Sequence, residues 1–147
     1  MQPKHPLLQK CLAQLEGLPH LKIDTEVEEM PYLAKTVMAD GLIVVHSPQD
    51  SVTYIVEIKS NVTIETLSSV FDYFNTLKQR LAKDCRPLLI AEKLSRLVIK
   101  RLIREDIEFM DATGNCYLNS PALYLLTSNT PLATDTPTQT LDITPGT

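Results

Sequence analysis

Tryptophan is missing from these 147 residues, and glycine occurs only four times. Phe71 and Phe74 fall on an apolar helical face and the five tyrosines are scattered, which leaves no aromatic platform for unstacked nucleobases. No apolar run approaches the roughly 20 residues needed to cross a bilayer. The start, M-Q-P-K-H-P-L-L-Q-K-C-L, has neither a long apolar stretch nor a small-residue cleavage site, so no secretory signal is expected and the cytoplasm is the expected compartment. Cys11, Cys85 and Cys116 lack any C-x-x-C or Cys/His spacing, which excludes the usual structural zinc patterns and points to free thiols packed as small hydrophobes. His5, His20 and His46 form no ligand pair and receive no role.

What is present is the composition of an ordinary globular domain, 44% hydrophobic and 22% charged. We expect one domain over residues 1–127. From Ser128 onward the chain is rich in Thr and Pro without a periodic apolar face, so residues 128–147 read as a disordered tail or linker. The formal net charge is −4, but it is unevenly spread. Between Lys78 and Arg104 nine basic residues face two acidic ones, giving +7 there and −11 elsewhere.

Leu7, Leu8, Cys11, Leu12 and Leu15 repeat at helical spacing, which predicts a first helix over Pro6 to Gly17. Alternation predicts a strand over Leu21 to Glu28, and two apolar strands follow over Asp40 to His46 and Val52 to Lys59. Their connection, Ser47-Pro48-Gln49-Asp50-Ser51, suits an antiparallel hairpin. Ile64, Leu67, Phe71, Phe74 and Leu81 mark a second helix, with Thr63 as its N-cap. Arg86 to Ala91 is a short apolar run of the kind covered on both faces, so it should lie centrally in a sheet. Ser95 then caps a third helix reaching Arg104, which buries Leu97 or Val98, Ile99, Leu102 and Ile103. Ile107 to Met110 and Cys116 to Leu118 read as strands around the turn Ala112-Thr113-Gly114-Asn115, and a final strand covers Leu123 to Leu126.

The chemistry concentrates at the hairpin. Side chains alternate along a strand, so Glu57 and Lys59 leave one face while Ile58 leaves the other. If the hairpin forms, the end of its second strand returns beside the start of the first and Asp40 meets Glu57. The bland alternative is a cross-strand ion pair on a wet sheet face, worth about 0.2 to 1 kcal/mol. Three charged groups inside apolar strands ask for more than that.

The order helix, strand, hairpin with Asp and Glu-x-Lys, helix, buried strand, helix resembles the PD-(D/E)XK nuclease superfamily. The match lies in Asp40 of A-D-G-L-I-V-V, where alanine stands for the family's loosely kept proline, and in Glu57-Ile58-Lys59 of Y-I-V-E-I-K-S. The stretches R-P-L-L-I-A-E-K-L-S and L-I-R-E-D-I-E-F-M-D-A-T-G-N-C-Y-L are also similar to bacterial members that continue into a winged helix and are linked to defence or toxin-antitoxin loci. The resemblance implies an α/β, restriction-endonuclease-like fold, a central mixed sheet flanked by helices in the order α-β-β-β-α-β-α-β-β. It implies Mg²⁺ or Mn²⁺ held by Asp40, Glu57 and the backbone carbonyl of Ile58, with Lys59 as the third catalytic group, in hydrolysis of DNA phosphodiester bonds. Such cations take hard oxygen ligands and keep several waters. Relatives often add an acid from the first helix, for which Glu16 is the candidate, with Glu28 and Glu29 as substitutes.

DNA would be met through its phosphates by Arg96, Lys100 and Arg104, spaced four apart, with Lys78, Arg80, Lys83 and Lys93 beside them. The other reading of that stripe is simply the wet side of a helix. Sequence specificity would need a second domain, a homodimer or another partner. The competing function is a catalytically silent module of the same fold, acting in DNA binding or as a regulatory, toxin-antitoxin or phage-defence component.

Overall fold

The computed structural model describes residues 6–26, 40–81, 85–121 and 123–128. The expected tail beyond Ser128, and Glu28, Glu29 and Lys83, lie outside the described residues. The elements are α1 (Pro6–Glu16), β1 (Lys22–Glu26), β2 (Gly41–His46), β3 (Ser51–Ile58), α2 (Leu67–Arg80), β4 (Cys85–Ala91), α3 (Arg96–Arg104), β5 (Phe109–Asp111), β6 (Cys116–Ser120) and β7 (Leu123–Thr127).

One sheet holds all seven strands, and their spatial order is their chain order. The outer pairs are antiparallel, whereas β3–β4 and β4–β5 are parallel. This is the mixed α/β sheet with flanking helices that the sequence leads one to expect, with β4 at its centre. Strand β7 is the final strand expected over Leu123 to Leu126, one more than the nine elements the family resemblance implies.

Parallel neighbours need crossovers, and α2 and α3 supply them. Two successive crossovers stepping the same way across the sheet place their helices on the same face. Accordingly Val70, Phe74, Leu77, Val98, Ile99 and Leu102 are buried, most of them in one cluster with Leu89, Ala91 and Phe109. Helix α1 covers the other face, where Leu8, Cys11, Leu12 and Leu15 pack on Val45, Tyr54, Val56, Leu88 and Ile90. Burial pushes the Cys11 and Cys116 thiols up to about 12, so both are inert hydrophobes at neutral pH.

Local rules explain most element ends. Ser95 accepts a hydrogen bond from the Val98 amide at 3.3 Å and starts α3 as an N-cap should. Of the two residues open for burial there, Val98 is the buried one and Leu97 stands 56% exposed. Helix α2 is preceded by a 3-10 turn over Ile64–Thr66, so Thr63 caps that turn and Ile64, expected to face the core, is exposed. At the hairpin the Ser47 amide bonds the Asp50 carbonyl at 2.8 Å. There His46, at the end of β2, links the middle of β1 to the start of β3, its Nε2 2.9 Å from Asp24 and its Nδ1 2.8 Å from Ser51, a link the sequence did not suggest.

Candidate active site

The register of β2 and β3 decides the site. Gly41 pairs with Val56, so the next residues outward, Asp40 and Glu57, stand opposite each other at the rim of the sheet. The Asp40 amide bonds the Val56 carbonyl at 2.9 Å, and Asp40 Oδ2 accepts from the Ile58 amide at 2.8 Å. Both ends of Asp40 are thus fastened to β3. Alternation turns Tyr54, Val56 and Ile58 toward α1 and leaves Glu57 and Lys59 on the side of α2.

Glu57 is only 6% exposed, and its Oε2 has no hydrogen-bond partner. Burial pushes its carboxyl up to about 7; the Tyr73 hydroxyl partly offsets this, Asp40 adds to it, and Lys59 opposes it. Tyr73 comes from α2, one residue before the buried Phe74, and is itself 38% exposed. Its hydroxyl is pushed up to about 12, first by desolvation and then by Glu57. Lys59 Nζ lies 5.3 Å from the centre of the Tyr73 ring, within cation–π range. Among the described residues no ion pair joins Lys59 to Asp40 or Glu57, so the simple cross-strand pair is not what the structure contains.

The two carboxylates and the lysine therefore do converge, with Tyr73 as a fourth member that sequence reasoning missed. The available signal was a tyrosine on the edge of the apolar stripe in the helix after Glu-x-Lys. Glu16 does not join them. It ends α1 on the exposed side, whereas the α1 residue beside Gly41 is Leu8, about 12 Å earlier along the helix.

Do these residues fit a divalent cation? Among the described residues no group of three His, Cys, Asp or Glu side chains could hold one. Mg²⁺, however, commonly takes one or two carboxylates and retains water for its remaining positions. A buried carboxylate oxygen with no donor, facing a second carboxylate across the strand pair, is a place where positive charge is missing. Asp40, Glu57 and the Ile58 carbonyl fit such an ion on those terms.

The proposed phosphate-binding residues fare unevenly. Lys100 and Arg104 are exposed on α3, and Arg96 is half-buried. Arg80 ends α2 on the surface and Lys93 follows β4. Lys78 is partly committed, because its Nζ donates to the Asp106 carbonyl at 3.2 Å and ties α2 to the loop after α3. Arg86, counted within the basic segment, is turned inward: its Nε lies 2.6 Å from Glu108 and its Nη2 2.9 Å from the Asn119 carbonyl.

Fold and site together define an α/β domain with an acid pair and a lysine at the rim of its sheet. No family model matches the chain, and no curated protein matches it. A solved structure of EndoMS in apo form is similar at 17% identity and a TM-score of 0.37, over 80% of this chain and 48% of that one. The chain thus spans about half the length of that protein. No helix among the described residues is long and apolar enough to cross a membrane.

Proposed function

We propose that this domain is a metal-dependent nuclease acting on DNA phosphodiester bonds, with Asp40, Glu57 and Lys59 as its catalytic group and Mg²⁺ or Mn²⁺ as cofactor. The observation that carries the reading is the partnerless buried oxygen of Glu57 opposite Asp40. A buried acid held against a second acid costs free energy unless a proton or a cation compensates it, and a nuclease has a use for the cation.

When bound, the ion supplies Lewis acidity toward a phosphoryl oxygen and an acidified water. The chain's own groups then have distinct tasks. Asp40 is held in place by the Ile58 amide and presents its remaining oxygen. Glu57 brings a carboxylate whose desolvation makes it avid for charge. Lys59 is a point charge able to meet the charge that builds on phosphate during attack. Tyr73 keeps both in position, through its hydroxyl toward Glu57 and its ring under Lys59. The exposed cations of α3, a helix on the same face of the sheet as α2, would follow the phosphate backbone.

The test is nicking of supercoiled plasmid with Mg²⁺ or Mn²⁺. Lys59→Ala should reduce cutting by about 10² to 10³-fold, the usual loss when one stabilising donor is removed, with DNA binding nearly unchanged. Calorimetric Mn²⁺ titration should show binding to the wild type and none to Asp40→Ala. Cutting that survives in Lys59→Ala moves the chemistry elsewhere, and a wild type that takes no Mn²⁺ favours the silent module acting in DNA binding or regulation.

A further inference from the structure

A concavity opens on the α1 side of the same rim, across the sheet from Glu57 and Lys59. It has a volume of about 500 Å³, within the range of small-molecule sites. Its walls come from four separate segments: Leu7 and Lys10 of α1, Ser60 after β3, Glu92 and Lys93 after β4, and Thr113 with its neighbour after β5. It therefore lies outside the carboxyl ends of three mutually parallel strands, where open α/β sheets characteristically bind ligands.

The walls are stitched to each other. The Glu92 amide bonds the Ser60 carbonyl at 3.3 Å, and the Ala112 amide bonds the Glu92 carbonyl at 3.1 Å. Gln14 of α1 donates to the Asp111 carbonyl at 3.0 Å. Beneath them Asp111, fully buried, gathers the amides of Leu94, Thr113 and Asn115, the Thr113 hydroxyl and the Asn115 side chain, all at 2.8 to 3.0 Å. One carboxylate thus fixes the loop after β4 and the loop after β5 together. This is a preformed wall, with its ordering cost met during folding.

Lys10 and Lys93 are exposed at this cavity, and among the described residues neither forms an ion pair. With Glu92 the lining carries a net positive charge. A bare inorganic anion would leave most of such a volume empty, while Leu7 and Ala112 offer apolar surface beside hydroxyl and carboxylate groups. We propose that this cavity binds a phosphate-bearing nucleotide. The two ammonium groups meet the phosphate as point charges, the apolar wall meets the base, and Glu92 accepts from a sugar hydroxyl or an exocyclic amine. The site is distinct from Asp40 and Glu57, and its assignment does not depend on their being catalytic.

The experiment uses the full chain in EDTA, so that no metal enters, with calorimetric titration of deoxyadenosine monophosphate, deoxyadenosine and inorganic phosphate. The monophosphate should bind at least tenfold more tightly than either fragment. Lys10→Gln and Lys93→Gln should each weaken it about tenfold without changing the melting temperature, whereas Lys59→Ala should leave it unchanged. In amide NMR spectra the shifts should centre on Ser60, Glu92 and Ala112. A 5′-phosphorylated oligonucleotide that outbinds the free monophosphate identifies the ligand as a strand end, and the reverse order identifies a free nucleotide. No binding at millimolar monophosphate, equal affinity for deoxyadenosine, indifference to both lysine changes, or shifts centred on Asp40 and Glu57 would each overturn the assignment.

Discussion

Glu57 in β3 and Glu108, one residue before β5, are both buried acids, and their surroundings are opposites. Glu108 receives the Tyr54 hydroxyl, the Asn119 amide at 2.8 Å and Arg86 Nε at 2.6 Å, and Arg86 is itself held by the Asn119 carbonyl. Burial first and Glu108 second push the Tyr54 hydroxyl well above its ordinary range, so it remains a donor. Every neighbour of Glu108 thus serves its charge. Glu57 has one hydroxyl in reach, a second carboxylate opposite, and an oxygen that nothing reaches. The first arrangement closes on itself and holds β3, β4 and β6 together. The second is left open toward something that is not protein. Burial of an acid is therefore no sign of function by itself, and the informative feature is whether the fold has satisfied it.

The contrast can be broken by exchanging charge for shape. Glu108→Ala strands Arg86 and Tyr54 and should cost about 3 kcal/mol in urea unfolding, the lower end for breaking a buried pair because Arg86 is partly wet. Glu57→Gln at pH 8 in EDTA should be neutral or stabilising; a loss as large as that of Glu108→Ala would make Glu57 a second structural acid.

The pH dependence sharpens the same point. The ordinary value for a glutamate is 4.5 and Glu57 sits at about 7, so between these values the folded state holds a proton that the unfolded chain has released. Stability without metal should then fall as pH rises across that window, by up to about 1.4 kcal/mol per unit, and level off above it. Glu57→Gln should lack this decline; urea midpoints at pH 5, 6, 7 and 8 measure it, and matching slopes in the two proteins would refute the assignment. The smallest effect belongs to Tyr73→Phe. Loss of the hydroxyl should move the Glu57 midpoint further upward by NMR titration, with stability changed by less than about 1 kcal/mol.

The Asp40, Glu57 and Lys59 cluster was legible because a strand has a period of two and a hairpin folds back on itself, so spacing alone fixes who meets whom. Helix α3 was legible to the residue, since Ser95 is a strong cap and Arg104 ends the apolar period. Tyr73 was not, because its place depends on how α2 rolls as Phe74 and Val70 seat against the sheet. Glu108 and Asp111 look like any acids next to apolar strand residues; their roles depend on Tyr54 and Arg86 in the one case and on Leu94 in the other, all distant in sequence. The nucleotide-sized cavity was invisible for the same reason, being assembled from four segments that no local pattern connects.

A sheet whose spatial order repeats its chain order has a consequence for biosynthesis. Each new strand leaving the ribosome finds its neighbour already in place, so the hairpin bearing Asp40 and Glu57 can be formed before the last three strands exist. Tyr54 and Arg86 must wait for Glu108, which makes the clasp around that acid one of the last parts to close during translation.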